Sequence, residues 1–442
     1  MNRKHLPLLL FFLICAISAS SQDVWDLRKC FEYAKETNLT LQQSRLDQVT
    51  SGINLKEAQA SRHPSLRLNS GTSWNYGRAF DPFTNDRVDV NTNGFNAGAN
   101  LSLPLFNGFN IINSIERARI NQQIASLNLS NAENVLGLNV ATSYLNVLLN
   151  LEILEQRETQ VAATKEQRDR MKKLVDAGTR ALTDYLELDA QMSIEETNVV
   201  NAQNQLQNAY LELQQLMNLS PSSNFRIEKP DLPDVGSALN LESASSIYEY
   251  AEQTQPDVQS ADLGIQSAQK SIAISRSFGF PSLSFGSSAN TGYSKRIGDE
   301  IDEFQNLEDN LNYSLSLGLN IPIYSQRQIR SGVERAEVNL QQAEILADQT
   351  RLTLRQTIER SYLDVTNTFN QYQLVERQIR SQQLAFDNAQ KQLDLGVINS
   401  VDYLLAQNRL QQSILSQIQL KYQYHFRSQI LDFYKGESLD FD

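Results

Sequence analysis

The chain has 442 residues, 40% hydrophobic and 20% charged, with 51 Asp and Glu against 39 Lys and Arg and a formal net charge of −12. An acidic balance of this size, with no basic patch to offset it, argues against nucleic acid as a partner. Only Cys15 and Cys30 are present, and the first lies in a leader, so the mature chain has no internal disulfide and depends on packing or assembly.

Residues 1–21 read as a secretory signal. Arg3 and Lys4 precede the apolar run 8–17, and "AISASSQ" supplies small residues for cleavage after Ser21. Lipid attachment at Cys15 is disfavoured because Ile14 stands where a lipoprotein peptidase needs a small side chain. No later stretch of about 18 apolar residues follows, so no transmembrane helix is expected.

Residues 26–62 read as a helix. Two alternating segments come next: Leu66, Leu68, Ser70, Thr72, Trp74 and Tyr76 oppose Arg67, Asn69, Gly71, Ser73 and Asn75. On the return, Phe95, Ala97, Ala99, Leu101, Leu103 and Leu105 oppose Asn96, Gly98, Asn100 and Ser102. The two-residue period predicts strands with one apolar and one polar face, joined by a polar loop at 77–91. A helix over 109–177, without proline, follows. It ends at "GTRALTDYLELD", residues 178–189, and a shorter helix occupies 184–218. Three prolines in 219–240 mark a linker.

The order then repeats. "HPSLRLNS" at 63–70 returns as "FPSLSFGS" at 280–287, and "LPLFNGFNIINSIERARI" from Leu103 as "IPIYSQRQIRSGVERAEV" from Ile321. The stripe Val140, Tyr144, Val147, Leu151, Leu154 returns 218 residues on as Ile358, Tyr362, Val365, Phe369, Tyr372. The glycine turn returns as "GVINSVDYLLAQ", 396–407. Four matching segments at nearly one offset establish a tandem duplication. Its units are a first helix–strand–strand–helix repeat over 22–218, the linker 219–240, a second repeat over 241–435 and a tail at 436–442. In the second, helix 241–276 breaks near Pro256, strands span 283–293 and 311–323, and helices span 325–395 and 400–435.

Strands of about ten residues with one apolar face suit a transmembrane barrel. Backbone groups in lipid must all pair, so such a sheet must close. Four strands cannot close one; two chains would give a barrel filled by its own side chains, whereas a homotrimer supplies twelve strands. Aromatic residues divide as two membrane interfaces require: Trp74, Tyr76 and Tyr293 near the loops, Phe106, Phe109, Phe278, Phe280 and Tyr324 where strand meets helix. The long helices carry a second seam, Leu138, Ala141, Leu145 and Leu148, so each can pack a neighbour on either side, as in a helical cylinder. The expected fold is mainly α with membrane β: a long α-helical tunnel and a shared 12-stranded barrel.

The three histidines, His5, His63 and His425, have no metal-ligand spacing, and no phosphate loop or nucleophile elbow occurs. No enzyme activity, metal or cofactor is expected, and any transport is passive here.

The duplicated repeats, paired "PSL" strand starts, proline-bearing strand exits and two G-x5-D-Y-L turns together resemble the TolC-type outer-membrane efflux proteins, over essentially the whole mature chain. The resemblance implies a trimeric exit channel of a tripartite efflux pump or type I secretion system in the outer membrane of a Gram-negative bacterium. Its partners would be a periplasmic membrane-fusion adaptor, an inner-membrane transporter of resistance-nodulation-division, ABC or major-facilitator type, and outer-membrane lipid. It also makes the two turns the periplasmic hairpin tips, which dock the adaptor and constrict the tunnel: Gly178, Thr179 and Tyr185 in one, Gly396, Val397 and Tyr403 in the other. The matching aperture residues are Arg180, Asp184, Glu187 and Asp402. Three copies of Asp184 and Glu187 would form a cation-attracting ring. Alternatively Asp184 or Asp402 caps the helix that follows, and Tyr185 and Tyr403 pack between hairpins. The reading from another class is a periplasmic coiled-coil scaffold or adaptor without a pore. Drug, metal and protein cargo are all compatible with the sequence.

Overall fold

The computed structural model describes residues 24–80, 87–89, 91–221, 225–230, 232–236, 238–239, 241–297 and 307–437. The expected leader with His5 and Cys15, parts of both strand-connecting loops, and residues 438–442 of the tail lie outside them. The chain forms two compact units, and both draw segments from both repeats: Asp47–Leu127 with Gln259–Gln349, and the remaining segments, among them Asn128–Val258.

The first of these units holds a four-stranded antiparallel sheet of β2 (Ser65–Asn75), β5 (Thr92–Asn107), β7 (Ser282–Arg296) and β8 (Asn312–Asn320), in the order β2-β5-β7-β8. Each hairpin comes from one repeat, and the β5–β7 ladder joins them from Thr92↔Arg296 to Asn107↔Ser282. Among the described residues β2 and β8 are edges, with one neighbour each. The strands β5 and β7 run past their expected ends, because Thr92–Gly94 keep pairing with Ser294–Arg296 near the loop. β8 stops short of the expected Ile323, since Pro322 cannot donate to a ladder. A short hairpin of β3 (Arg78–Phe80) and β4 (Arg87–Asp89) extends the first loop.

The alternation read from the sequence is the pleat of this sheet. On one face Leu68 is 82% exposed, and Tyr313, Leu315, Leu317 and Leu319 are exposed beside Ile321 and Ile323. On the other face Asn100 Nδ2 donates to Asn69 Oδ1 at 2.8 Å, and the hydroxyls of Ser288 and Ser314 bond at 2.8 Å. The duplication is also legible in backbone angles where strand passes to helix. Gly108 and Phe109 have φ of 62° and 67°, and Gln326 and Arg327, 218 residues later, have 48° and 68°. Three of the four carry a side chain in the left-handed region, so this turn is held by its surroundings against a local preference.

The remaining elements are mainly helices, and both units contain them. The helix expected over 26–62 is two helices, α1 (Leu27–Thr37) and α2 (Leu39–Ala60). Asn38 makes the break: its Oδ1 accepts from the Leu41 N–H at 3.1 Å, and its Nδ2 donates to the Leu216 carbonyl at 3.0 Å. An asparagine with both side-chain groups committed to main chain competes with the helix, which hydrophobic periodicity does not register. The second copy breaks between α5 (Ala244–Thr254) and α6 (Pro256–Ser277), where the proline announces it.

The long helices α3 (Asn110–Asp176) and α7 (Gln328–Leu395) have 67 and 68 residues; the short α4 (Leu182–Leu216) and α8 (Ser400–Tyr434) have 35 each. Val140, Tyr144, Val147 and the adjacent Ala141, Leu145 and Leu148 are buried with Leu213, Met217, Phe225 and Ile227. In the second copy Ile358, Val365, Phe369 and Tyr372 are buried likewise. Part of the linker closes over the first core. β1 (Val24–Trp25) pairs parallel with β6 (Arg226–Ile227), and the Tyr144 hydroxyl donates to the Glu228 carbonyl at 2.6 Å. Burial raises the Tyr144 phenol above its usual range, so it stays a donor. Burial, followed by the nearby Asp26, pushes the Cys30 thiol up to about 12 and makes it an inert core residue. Tyr144→Phe is expected to lower stability by about 1–2 kcal/mol by stranding that carbonyl; chemical denaturation of the detergent-solubilised protein measures it.

Candidate functional site

Both glycine turns end their long helices in the same way. Gly178 has φ of 75° and Gly396 of 78°. Thr179 N–H reaches the Leu174 carbonyl and Gly178 N–H that of Val175, both at 2.9 Å. Val397 N–H bonds the Gln392 carbonyl at 2.9 Å and Gly396 N–H that of Leu393 at 3.1 Å. This pair of bonds is the Schellman termination, which needs a left-handed residue where glycine stands in each copy. The repeated glycine is therefore a helix stop, and it reverses the chain within a few residues.

The hairpins are joined by side chains of the first turn that engage the second. The Arg180 guanidinium donates to the Leu393 carbonyl, at the C-terminal end of α7. Asp184 Oδ1 accepts from both the backbone N–H and the hydroxyl of Ser400, each at 3.1 Å, at the N-terminal end of α8. A cation thus meets the negative end of one helix and an anion the positive end of the next, the favourable sense at both. Arg170 adds an ion pair to Asp394 at 3.0 Å. Beneath them Met171, Leu188, Leu393, Tyr403 and Leu404 form one buried cluster, with Tyr185 partly buried against it. Tyr403 is 3% exposed with its ring 5.5 Å from that of Phe386, and burial, then Glu195 and Asp394, pushes its hydroxyl up to about 12.

Further along the same helices the contact turns polar. Thr164 Oγ1 accepts from Gln160 and Gln407, and Glu195 Oε1 from Gln160 and Gln191, at 3.1–3.3 Å.

Neither aspartate caps its own helix. The N-cap of α4 is Ala181, without a side-chain bond, and that of α8 is Asn399, whose Oδ1 accepts from the Asp402 N–H at 2.9 Å. Asp184 instead serves the other hairpin's helix, and Asp402 and Glu187 are exposed. Asn399 and Ser400 join the site residues expected from the sequence, and "NSVD" carries their signal: a cap residue with an acid three positions on. The Arg180–Leu393 and Asp184–Ser400 contacts join residues more than 200 positions apart, and no local pattern encodes them.

In the sheet-bearing unit, Trp74 and Tyr76 are exposed near the loop end, and Phe106, Phe109, Phe278, Phe280 and Tyr324 are exposed at the helix end. Tyr293 differs: it is half-buried and stacks on Phe95 across the β5–β7 ladder, centroids 5.9 Å apart. Phe95 belongs with that group, although alternation alone marks it only as a strand residue.

The profile of the family described as outer membrane efflux protein matches twice, over residues 31–219 and 247–437, once per repeat. The outer membrane protein TolC of Escherichia coli K12 is 24% identical over 439 residues, covering 96% of this chain and 84% of that one. The outer membrane efflux protein BepC of Brucella suis is 23% identical over 380 residues, covering 85% and 78%. Among solved structures, the outer membrane protein VceC of Vibrio cholerae superposes with a TM-score of 0.77 at 14% identity, over 94% of this chain and 97% of that one.

Proposed function

The chain belongs to the outer membrane efflux protein family, and from that membership we propose that it works as the passive exit duct of a tripartite pump or type I secretion system, assembled as a homotrimer. The observation that carries this reading is the four-stranded sheet with two open edges and an exposed leucine face. Such a face is costly in water and unpaired edges are costly in lipid, so sister chains must supply the remaining strands. Three copies give a twelve-stranded barrel. A water-soluble scaffold would have no use for this face.

The paired turns are the periplasmic tip, where a membrane-fusion adaptor docks and through which an inner-membrane transporter delivers cargo. Energy enters through that transporter. Within the tip, Arg180 and Asp184 hold the two hairpins of one protomer together, while Glu187 and Asp402 face solvent. Because Asp184 is committed to Ser400, the cation-attracting ring expected of Asp184 and Glu187 falls instead to three copies each of Glu187 and Asp402.

Purified protein reconstituted in planar bilayers tests this. Detergent-bound, heat-modifiable trimers with single-channel conductance are expected; a water-soluble monomer without detergent would end the reading. A multivalent cation added to the tip side is expected to block the native channel and to act at least several-fold more weakly on a Glu187→Gln, Asp402→Gln double variant. Equal block in both removes these carboxylates from the aperture.

A further inference from the structure

The linear sequence shows no basic patch, but the antiparallel sheet brings four cation-bearing strand ends to the same end. Consider the twelve residues beyond each of the four strand ends that lead into helices: 53–64, 108–119, 270–281 and 321–332. Each window holds two cations: Lys56 and Arg62, Arg117 and Arg119, Lys270 and Arg276, Arg327 and Arg330. Glu57 and Glu116 are their only acids. The four windows together therefore carry +6, in a chain whose total is −12.

At the β7 and β8 exits an aromatic residue stands between the apolar face and the cations, and at the β2 exit the cation follows the leucines without one. From β8, the exposed Ile321 and Ile323 lead to Tyr324, 85% exposed, and then to Arg327 and Arg330. Outward from β7, exposed Phe280 and Phe278 lead to Arg276. From β2, Leu68 and Leu66 lead to Arg62. Apolar, then aromatic, then cationic is the order of chemistry met on leaving hydrocarbon for lipid headgroups. Existing ion pairs leave these groups available. Glu334 is shared by Arg327, at 3.4 Å, and Arg330, at 3.1 Å, and Arg276 meets Glu337 at 3.1 Å, all with exposed guanidinium groups. Exposed pairs of this kind are weak and exchange readily. Beside Arg276 a groove of about 410 Å³ is lined by Phe109, Ile272 and Phe280, so an apolar surface adjoins the charge.

We propose that the strand-to-helix exits form an arginine collar that binds the phosphodiester headgroups of anionic phospholipids in the periplasmic leaflet. Arg276, Arg327 and Arg330 contact phosphate, and the adjoining Phe109–Phe280 groove takes acyl chain. The assignment rests on the membrane-spanning sheet of the preceding reading.

The test uses the full-length protein in mixed micelles of equimolar phosphatidylglycerol and phosphatidylcholine, with co-purified lipid counted by mass spectrometry. Native protein is expected to retain phosphatidylglycerol in excess, by about fivefold for each guanidinium engaged. The Arg276→Gln, Arg327→Gln, Arg330→Gln variant is expected to retain the two lipids equally, and the matching triple Lys variant to keep the preference. Equal retention by native protein overturns the collar whatever the variants do, as does undiminished preference in the Gln variant. Inorganic phosphate is the second probe: if it erases the preference at equal ionic strength, the site is a simple anion site and the lipid assignment falls. Conductance recorded on the same preparations separates the two readings. Channels without lipid preference defeat only the collar, whereas failure of native protein to form channels defeats the pore.

Discussion

Leu317→Arg is expected to abolish assembly of the channel in lipid, while Ser316→Arg, one position away, leaves assembly intact. Leu317 pairs with Phe285 on the apolar face and is 69% exposed in the single chain; Ser316 pairs with Gly286 on the polar face. A guanidinium on the lipid side of a barrel costs about 2–4 kcal/mol at mid-membrane. Three copies multiply that to roughly 6–12 kcal/mol, comparable with the whole stability of many domains. On the lumen side the same group stays hydrated. Heat-modifiable trimer in outer-membrane fractions is the readout, and the contrast between adjacent positions excludes a general intolerance of arginine. Equal loss in both variants, or in neither, would mean that the strand does not separate lipid from lumen.

That contrast was available from the sequence, because a strand's two-residue period assigns every side chain to a face once one is known to be apolar. The tandem repeat was equally legible, and one offset recovered the strands, the long helices and both turns. What escaped the sequence follows from its physical nature. The break at Asn38 rests on one side chain that bonds the Leu41 amide and the Leu216 carbonyl, and the second bond exists only after folding. Tyr293 sits in a position that alternation marks as interfacial, yet it is half covered by Phe95 from the other repeat. At the tip, the resemblance singled out Arg180 and Asp184 without saying what they touch. Their partners are a carbonyl and an amide of the other hairpin, groups that every residue possesses and no sequence pattern can flag.

Those partners make Asp184 the position where one substitution should act most strongly on conduction. Its carboxylate satisfies the Ser400 amide and hydroxyl at the start of α8, where the four leading N–H groups lack partners within the helix. Asn399 supplies one further bond, to Asp402, and leaves Ser400 dependent on the neighbouring hairpin. Hydrogen bonds to a charged group contribute about 1.5–3 kcal/mol. Asp184→Ala is therefore expected to release the second hairpin from the first and raise the open fraction about 10- to 100-fold where the tip is otherwise shut, since 1.4 kcal/mol is a factor of ten. Asp184→Asn keeps an acceptor oxygen without the charge and should fall between the two. Single-channel recording gives the open fraction, and the melting temperature of the trimer checks that the tunnel is undamaged, because the tip cluster of Met171, Leu188, Leu393 and Tyr403 is untouched. Arg180→Ala should act in the same direction through the Leu393 carbonyl. If both residues hold the same pair of hairpins, the double variant gains less than the product of the single effects, as coupled neighbours do. Native conductance in Asp184→Ala would show that this contact shapes the turn without restraining the aperture.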